Sequence, residues 1–388
     1  DSVQAINDDL RKYAKNINKN HDVLANRWWE GNKQLLMQTN TKINVLCLCC
    51  GIVPEIIALK KLEIEIGIVY VLDIDLDAVG VAIAQFPDVD FRTVSFGTCG
   101  NTPYKGQYCD VSELKQRTDI LKEIDRDCGF VTIIITTSPC TSFSKAGPKQ
   151  GFSVETGHLY DYCAQIVKWY TRRGTAFFLG ENVDSTIQWN AKMTYLYEGI
   201  EAIMMNGKYV SAMTRPRMIR TNYPPADDLT DELDHTKPSR LLRNCVDTST
   251  PHTWPVDGAI HPARQKIACL LHSKQGKSHV WTQKTPYSDP KLREFRIHEL
   301  EKLMGHAVDF TKYTVGQAIR DRIKNHNVGQ DGHIVRLKGA GTAQGEKKEE
   351  LSPTQRQQLL GNSVLPDMFT AALKPMVDLF PPVDAIPI

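Results

Sequence analysis

The sequence predicts an α/β protein built on a doubly wound, mostly parallel sheet, and two observations carry that reading. Short unbroken apolar runs recur from Ile43 onward, with amphipathic segments of helical length between them. Strands buried on both faces read as continuous apolar runs, and helical crossovers between them imply parallel pairing. The second observation is that Gly, Asp, Cys and Glu residues cluster just after these runs. Those positions are strand carboxyl ends, where open α/β sheets bind their ligands.

Residues 1–40 read as an amphipathic helical extension anchored by Trp28 and Trp29. Ile43–Leu48 is the first strand, Glu55–Leu62 a helix, Ile68–Leu72 the second strand and Ala78–Gln85 a helix. Val131–Thr137 is the next strand, Leu159–Thr171 a helix and Ala176–Leu179 a strand; Pro224-Pro225 closes this half. Residues 225–293, irregular and rich in Pro, Thr, His and Lys, form a small separate lobe. Helical spacing returns over Glu294–Met304. Residues 312–350 read as a loop insertion, Gly-, Lys- and Gln-rich over 324–350. A last unit runs from Ser352 through Gly361-Asn362-Ser363-Val364 into an amphipathic helix. One main domain therefore comes from residues 41–224 and 294–388.

At 388 residues and 41% hydrophobic content the chain can bury a sizeable core. It has no run of 18 apolar residues, which argues against a membrane partner, and no basic-then-apolar leader. Position 1 is Asp rather than Met, which fits a segment of a longer chain. Ten cysteines without a regular framework fit a reducing compartment. Cys47-Leu48-Cys49-Cys50 contains a CxxC, but no second pair completes a zinc site, so no metal is expected. Net charge is only +2, yet Lys237 to Lys284 holds eight Lys/Arg against two Asp/Glu. That stretch is either a solvated face or a contact for polyanions.

The cofactor end is read from the strand termini. Strand 1 ends in Cys50-Gly51-Ile52, where glycine allows close backbone approach, and no GxGxxG marks a dinucleotide site. Strand 2 ends in Asp73-Ile74, with Asp73 placed to accept ribose hydroxyls of an adenosine-type cofactor. Asp110, beside Val111, is placed to accept an adenine amino group.

The reactive end follows Val131–Thr137. Pro139 breaks the strand and sets Cys140 in a polar loop with Ser142, Lys145 and Lys149, whose lysines would lower the thiol pKa and contact phosphates. Glu181, 41 residues after Cys140, follows another buried strand, where desolvation raises a carboxyl pKa. Arg215 and Arg217, one residue apart in an extended segment, can point to one face: one to hold a pyrimidine O2, the other to orient the acid. A thiolate for C6 and a neutral carboxyl for N3 together activate a pyrimidine ring.

Taken in order, these motifs resemble the C5-cytosine DNA methyltransferases, and most closely the catalytic domains of the animal de novo enzymes. Ser138-Pro139-Cys140 looks like the nucleophile motif, Glu181-Asn182-Val183 the acid motif, and Arg215-Pro216-Arg217 the Arg-x-Arg clamp. Glu299–Gly305 resembles the helix supporting the recognition lobe. Gly157-His158-Leu159-Tyr160 resembles the segment after the catalytic loop. Asn362-Ser363-Val364 resembles the final motif, which helps close the cofactor site. The resemblance implies a Rossmann-like domain that uses S-adenosyl-L-methionine, and a cytosine flipped out of double-stranded DNA, with CpG as the context. Residues 225–293 become the target-recognition lobe, with Lys274 and Lys277 on DNA. The implied location is the nucleus, or the cytoplasm where the source has none, with a homo-oligomer or chromatin-associated partners as the assemblies. Phe177 and Phe178 lie near the de novo enzymes' aromatic interface or else in the core.

There are departures. Cys49-Cys50-Gly51 stands where the family has aromatic-Asp-Gly, Pro54-Glu55 where a second glycine is common, and Thr141 where an amide often follows the nucleophile. Glu55, at a helix N-terminus, is expected near the cofactor carboxylate. Two alternatives compete. One is an RNA or tRNA cytosine-5 methyltransferase, whose Cys-Phe-Thr signature is absent here. The other is a catalytically silent accessory subunit, which only the unusual first motif favours.

Overall fold

The computed structural model describes residues 42–95, 111–115, 117–129, 131–144, 147–174, 176–211, 213–223, 295–326, 333–337 and 348–377. For 267–268, 279–282, 291–294, 324–326 and 333 it describes the backbone alone. The expected helical extension 1–40 and most of the expected lobe 225–293 lie outside the described residues.

Eight strands form one sheet: β1 Lys42–Leu48, β2 Glu65–Leu72, β3 Asp90–Ser95, β4 Ile133–Thr136, β5 Phe177–Asn182, β6 Ile203–Asn206, β7 Pro216–Thr221 and β8 His333–Arg336. Their order is β8-β3-β2-β1-β4-β5-β7-β6. The block β3-β2-β1-β4-β5 is parallel throughout. β7 runs antiparallel to β5 and β6, and β8 antiparallel to β3. From β1 in the middle the sheet winds outward to β3, then crosses to β4 and winds the other way. That reversal between β1 and β4 opens a crevice at their carboxyl ends.

Among the described residues ten helices cover the faces: α1 Glu55–Lys61, α2 Leu76–Gln85, α3 Val111–Leu114, α4 Thr118–Cys128, α5 Glu155–Thr171, α6 Ile187–Leu196, α7 Ile297–Leu303, α8 Gly316–His326, α9 Pro353–Asn362 and α10 Pro366–Val377. Strand alternation divides the core into two layers. Val45 and Cys47 of β1 face one layer with α1, α2 and α7 to α10, while Leu46 and Leu48 face the other with α3 to α6. Phe177 and Phe178 are buried on opposite faces of β5, so both belong to the core.

Local chemistry fixes the helix starts nearest the crevice. Asp75 caps α2 by accepting from the backbone N–H of Asp77 and Ala78. Ser352 and Gln355 form a capping box on α9, with Pro353 in its first turn. Within 312–350, expected as an inserted loop, the described residues include α8 and the edge strand β8. α8 packs on α2, and a Cβ on Gly80 of α2 would lie 2.6 Å from the Gly316 backbone nitrogen. The described packing face of α8 holds Ile319 and Ile323, among Arg, Asp, Gln and Lys. Among the described residues no helix is long and apolar enough to cross a membrane.

Candidate active site

The crevice at the β1, β2, β4 and β5 carboxyl ends is a cleft of about 540 Å³. It brings together Gly51, Ile52, Asp73, Ile74, Val111, Pro139, Cys140, Glu181, Arg215, Arg217, Asn362 and Ser363, all expected from the sequence. At one end stand Cys140, Glu181 and the two arginines; at the other stand Gly51 and the Asp73 segment.

Cys140 sits where β4 has ended and the chain turns, its carbonyl accepting from the N–H of Phe143 and Ser144. Burial pushes its thiol above the ordinary value; Arg217 opposes that rise, Glu181 adds to it, and Arg215 again opposes. The cations that favour the thiolate are thus these two arginines. Lys145 lies outside the described residues, and Lys149 is exposed. Ser142, expected to face DNA, is instead 1% exposed, with no partner for its hydroxyl among the described residues. The turn after Cys140 rotates it inward beside Phe143, which packs under Phe152, Tyr160 and Trp189.

Glu181 is buried near the end of β5, and Arg217 Nε donates to its Oε1 at 2.6 Å. The pairing follows from register. Glu181 lies opposite Ile219 on β7, so Arg217, two residues along, shares its face and reaches diagonally. Burial raises the Glu181 pKa, against the lowering by Arg217 and then Arg215. Arg215 shares the cleft but holds a different object. Its Nη2 donates to the carbonyls of Ser363 (2.5 Å) and Gly361 (3.2 Å), fastening the end of α9 to the clamp segment. Asn182 braces the nucleophile loop, donating to the Ser138 carbonyl (3.1 Å) and hydroxyl (3.2 Å).

At the opposite end the Asp73 carboxylate accepts from the N–H of Gly51 and of Asp75, both at 2.8 Å. Burial outweighs those two hydrogen bonds and pushes its pKa to about 6. Gly51 has φ +57, and a Cβ there would meet nothing within 4 Å, so the loop opens onto free space. Ile74 is 62% exposed beside it. An acid with spare lone pairs, an exposed apolar side chain and an open glycine turn suit the ribose and base of a nucleoside. Asp110 lies outside the described residues.

Three expectations need correction. Cys50 does not line the cleft: its thiol points back into the core against the carbonyls of Leu48 and Ile135. Val364 is likewise core, 2% exposed. Glu55 is fully buried and does not line the cleft. Sequence reasoning in turn missed Ser112, Thr137, Glu155, Thr156 and Leu359, which all line the cleft. Glu155 and Thr156 occupy the first turn of α5, which begins four residues before the apolar spacing does. Lys274 and Lys277 lie outside the described residues.

Comparison with known proteins gives a consistent picture. Residues 100–204, which include Cys140 and Glu181, match the family model of the C-5 cytosine-specific DNA methylases. No curated protein matches the chain. Among solved structures the chain is similar to the Entamoeba histolytica methyltransferase EhMeth, at 13% identity and TM-score 0.51 over 87% of this chain and 98% of that one. It is similar to a putative DNA modification methyltransferase encoded within a prophage of E. coli, at 15% identity and TM-score 0.51 over 87% and 99%. The S. pombe Dnmt2 methyltransferase is similar at 13% identity and TM-score 0.53 over 86% and 99%. A match to the C-5 cytosine-specific DNA methylase model over residues 100–204, within a fold shared with those structures, supports a C5-cytosine methyltransferase.

Proposed function

We propose that the chain methylates C5 of cytosine in double-stranded DNA, at CpG, through a covalent bond between Cys140 and C6. The observation that carries this is the meeting of Cys140, Glu181 and Arg217 at one end of a cleft whose other end suits a nucleoside.

The residues divide the work by chemistry. Cys140 must lose its proton, and the nearby guanidiniums favour the thiolate as burial opposes it. Its sulfur bonds to C6, which drives the ring electrons toward C5 and N3. Glu181 takes up a proton readily for a carboxyl, because burial raises its pKa, and then donates a hydrogen bond to N3 as charge develops there. Arg217 holds Glu181 in place and is the nearer candidate for the pyrimidine O2. Arg215 keeps the α9 end against the site. S-adenosyl-L-methionine, when bound, supplies an electrophilic methyl group; Asp73, Gly51, Ile52, Ile74 and Val111 would hold it. After C5 accepts the methyl group, a base removes the C5 proton, the S–C6 bond breaks and the thiolate is restored. A target base reaches this depth only by leaving the stack, which costs a few kcal/mol. Exposed Lys149 is placed to contact phosphates; the same role is proposed for Lys145, Lys274 and Lys277.

RNA is the competing substrate, since the same nucleophile, acid and clamp would serve a cytosine in either nucleic acid. Absence of a Cys-Phe-Thr signature favours DNA. The test is transfer of a labelled methyl group to CpG duplexes, unmodified and hemimethylated, and to tRNA, with Cys140→Ala as control. Label in duplex that vanishes in Cys140→Ala supports the proposal. Label in tRNA alone replaces DNA with RNA. No label in either, from folded protein that binds duplex, overturns the enzyme reading in favour of an accessory subunit.

A further inference from the structure

Beneath the cofactor loop lies a group that the reaction above does not use. Glu55 is the first residue of α1, 0% exposed, and neither oxygen of its carboxyl has a hydrogen-bond partner among the described residues. Burying such a group unpaired is unfavourable, and a native core seldom keeps one without a reason. Facing it are two buried thiols, Cys47 on β1 and Cys50 in the loop that follows. The two sulfurs and a Glu55 oxygen all lie within 4.8 Å of one another.

The convergence follows from local backbone. Cys47 points into the α1 side of the sheet by strand alternation, and Cys49 takes φ 58, a left-handed turn that returns Cys50 to the same side. Gly51 (φ 57) and Val53 (φ 51) repeat the turn and bring α1 back over the two sulfurs. A β-branched residue at positive φ is strained, so the loop is held in this shape by its surroundings. Carbonyl oxygens of Ile135 and Leu48 approach the Cys50 sulfur at 3.4 and 3.5 Å, adding hard donors to the rim.

We propose that Cys47, Cys50 and Glu55 form a binding site for a thiophilic divalent ion, with Zn²⁺ the class suited to mixed sulfur and oxygen ligands, and that this ion pins the loop on which the cofactor rests. Sulfur would bind at about 2.3 Å and the carboxylate at about 2.0–2.2 Å, in a four-coordinate shell completed by a carbonyl or water. Two thiolates offset the charge of the ion, the carboxylate leaves the centre one unit negative, and ligation of the ion would explain why an acid is tolerated here. Binding forms two metal–sulfur bonds and one metal–oxygen bond, and releases the two thiol protons and the carboxyl proton to solvent. No electron transfer is involved. Because binding displaces these protons, affinity rises with pH. The ion site rests on this cluster alone, and its effect on the cofactor loop rests on the proposed function.

The test uses the full 388-residue chain, reduced, and equilibrated with Zn²⁺. Metal is counted by mass spectrometry, and Co²⁺ substitution reports thiolate ligation by its near-ultraviolet charge-transfer band. The expected result is one equivalent lost in the Cys47→Ser/Cys50→Ser variant and unchanged in Cys163→Ser, a buried thiol on α5. Glu55→Gln should weaken binding at least tenfold, and affinity should rise at least tenfold per pH unit near neutrality. Equal metal content in the wild type and the folded double variant overturns the proposal. So does recovery of Cys47 and Cys50 as a disulfide in a protein that binds no ion. Should the double variant not fold, full affinity in folded Glu55→Gln overturns it equally.

Discussion

Replacing Glu55 with Gln should change how stability depends on pH, and the size follows from its surroundings. The buried carboxyl holds its proton to about pH 8, against an ordinary 4.5, because burial disfavours the anion. The folded-state pKa is raised, so the unfolded chain releases the proton first as pH climbs. The Glu55 contribution to stability is therefore fully present below pH 4.5 and is lost progressively until about pH 8. Each pH unit in that window costs about 1.4 kcal/mol, so the whole interval costs about 5 kcal/mol. Glutamine carries the same buried polar bulk and does not titrate. Urea unfolding of both proteins at pH 5, 6, 7 and 8, with chelator and reductant, isolates the effect, since all other titrations cancel in the difference. From pH 5 to pH 8 the wild type should fall relative to Glu55→Gln by roughly 4 kcal/mol. A difference that changes by less than about 0.5 kcal/mol per unit would mean that Glu55 is ionised and paired in the folded protein, and the reasoning fails.

Three further changes test the site and its frame. Asn182→Ala removes both hydrogen bonds to Ser138, so kcat should fall roughly 10–100-fold with KM little changed; steady-state kinetics decides this. Glu181→Gln keeps a donor for N3 that never ionises. The wild-type rate should decline at high pH as Glu181 loses its proton, and the variant, slower by about 10²–10³, should lack that decline in single-turnover profiles. Arg356→Met leaves Glu301, 0% exposed, without its guanidinium partner at 2.8 Å, and unfolding should show a loss of about 3–5 kcal/mol.

The sequence made the reactive end legible because strand punctuation is local. A β-branched run stopped by Pro139 announces where Cys140 emerges, and period-two spacing is enough to align Arg217 with Glu181. What it hid depended on turns and on partners distant in the chain. The turn after Cys140 buries Ser142, although the loop composition is polar. Left-handed residues at Cys49 and Val53 turn Cys50 and Glu55 inward, and nothing in a CxxC count reveals that the third ligand type comes from the next helix. Helix α8 escaped notice since its two core isoleucines are outnumbered by charge, and β3 because Arg92 sits buried within it, answered by Asp90 and Asp127 from other positions.

The most direct test of the central claim is capture of the covalent intermediate. Duplex DNA carrying 5-fluorocytosine at a CpG, incubated with the protein and S-adenosyl-L-methionine, cannot lose its C5 substituent as a proton, so elimination stalls. The account predicts a stable protein–DNA adduct, with the modified peptide containing Cys140 and no adduct in Cys140→Ala. Methylation of ordinary cytosine without any trapped adduct, or an adduct mapped to a different cysteine, would contradict it.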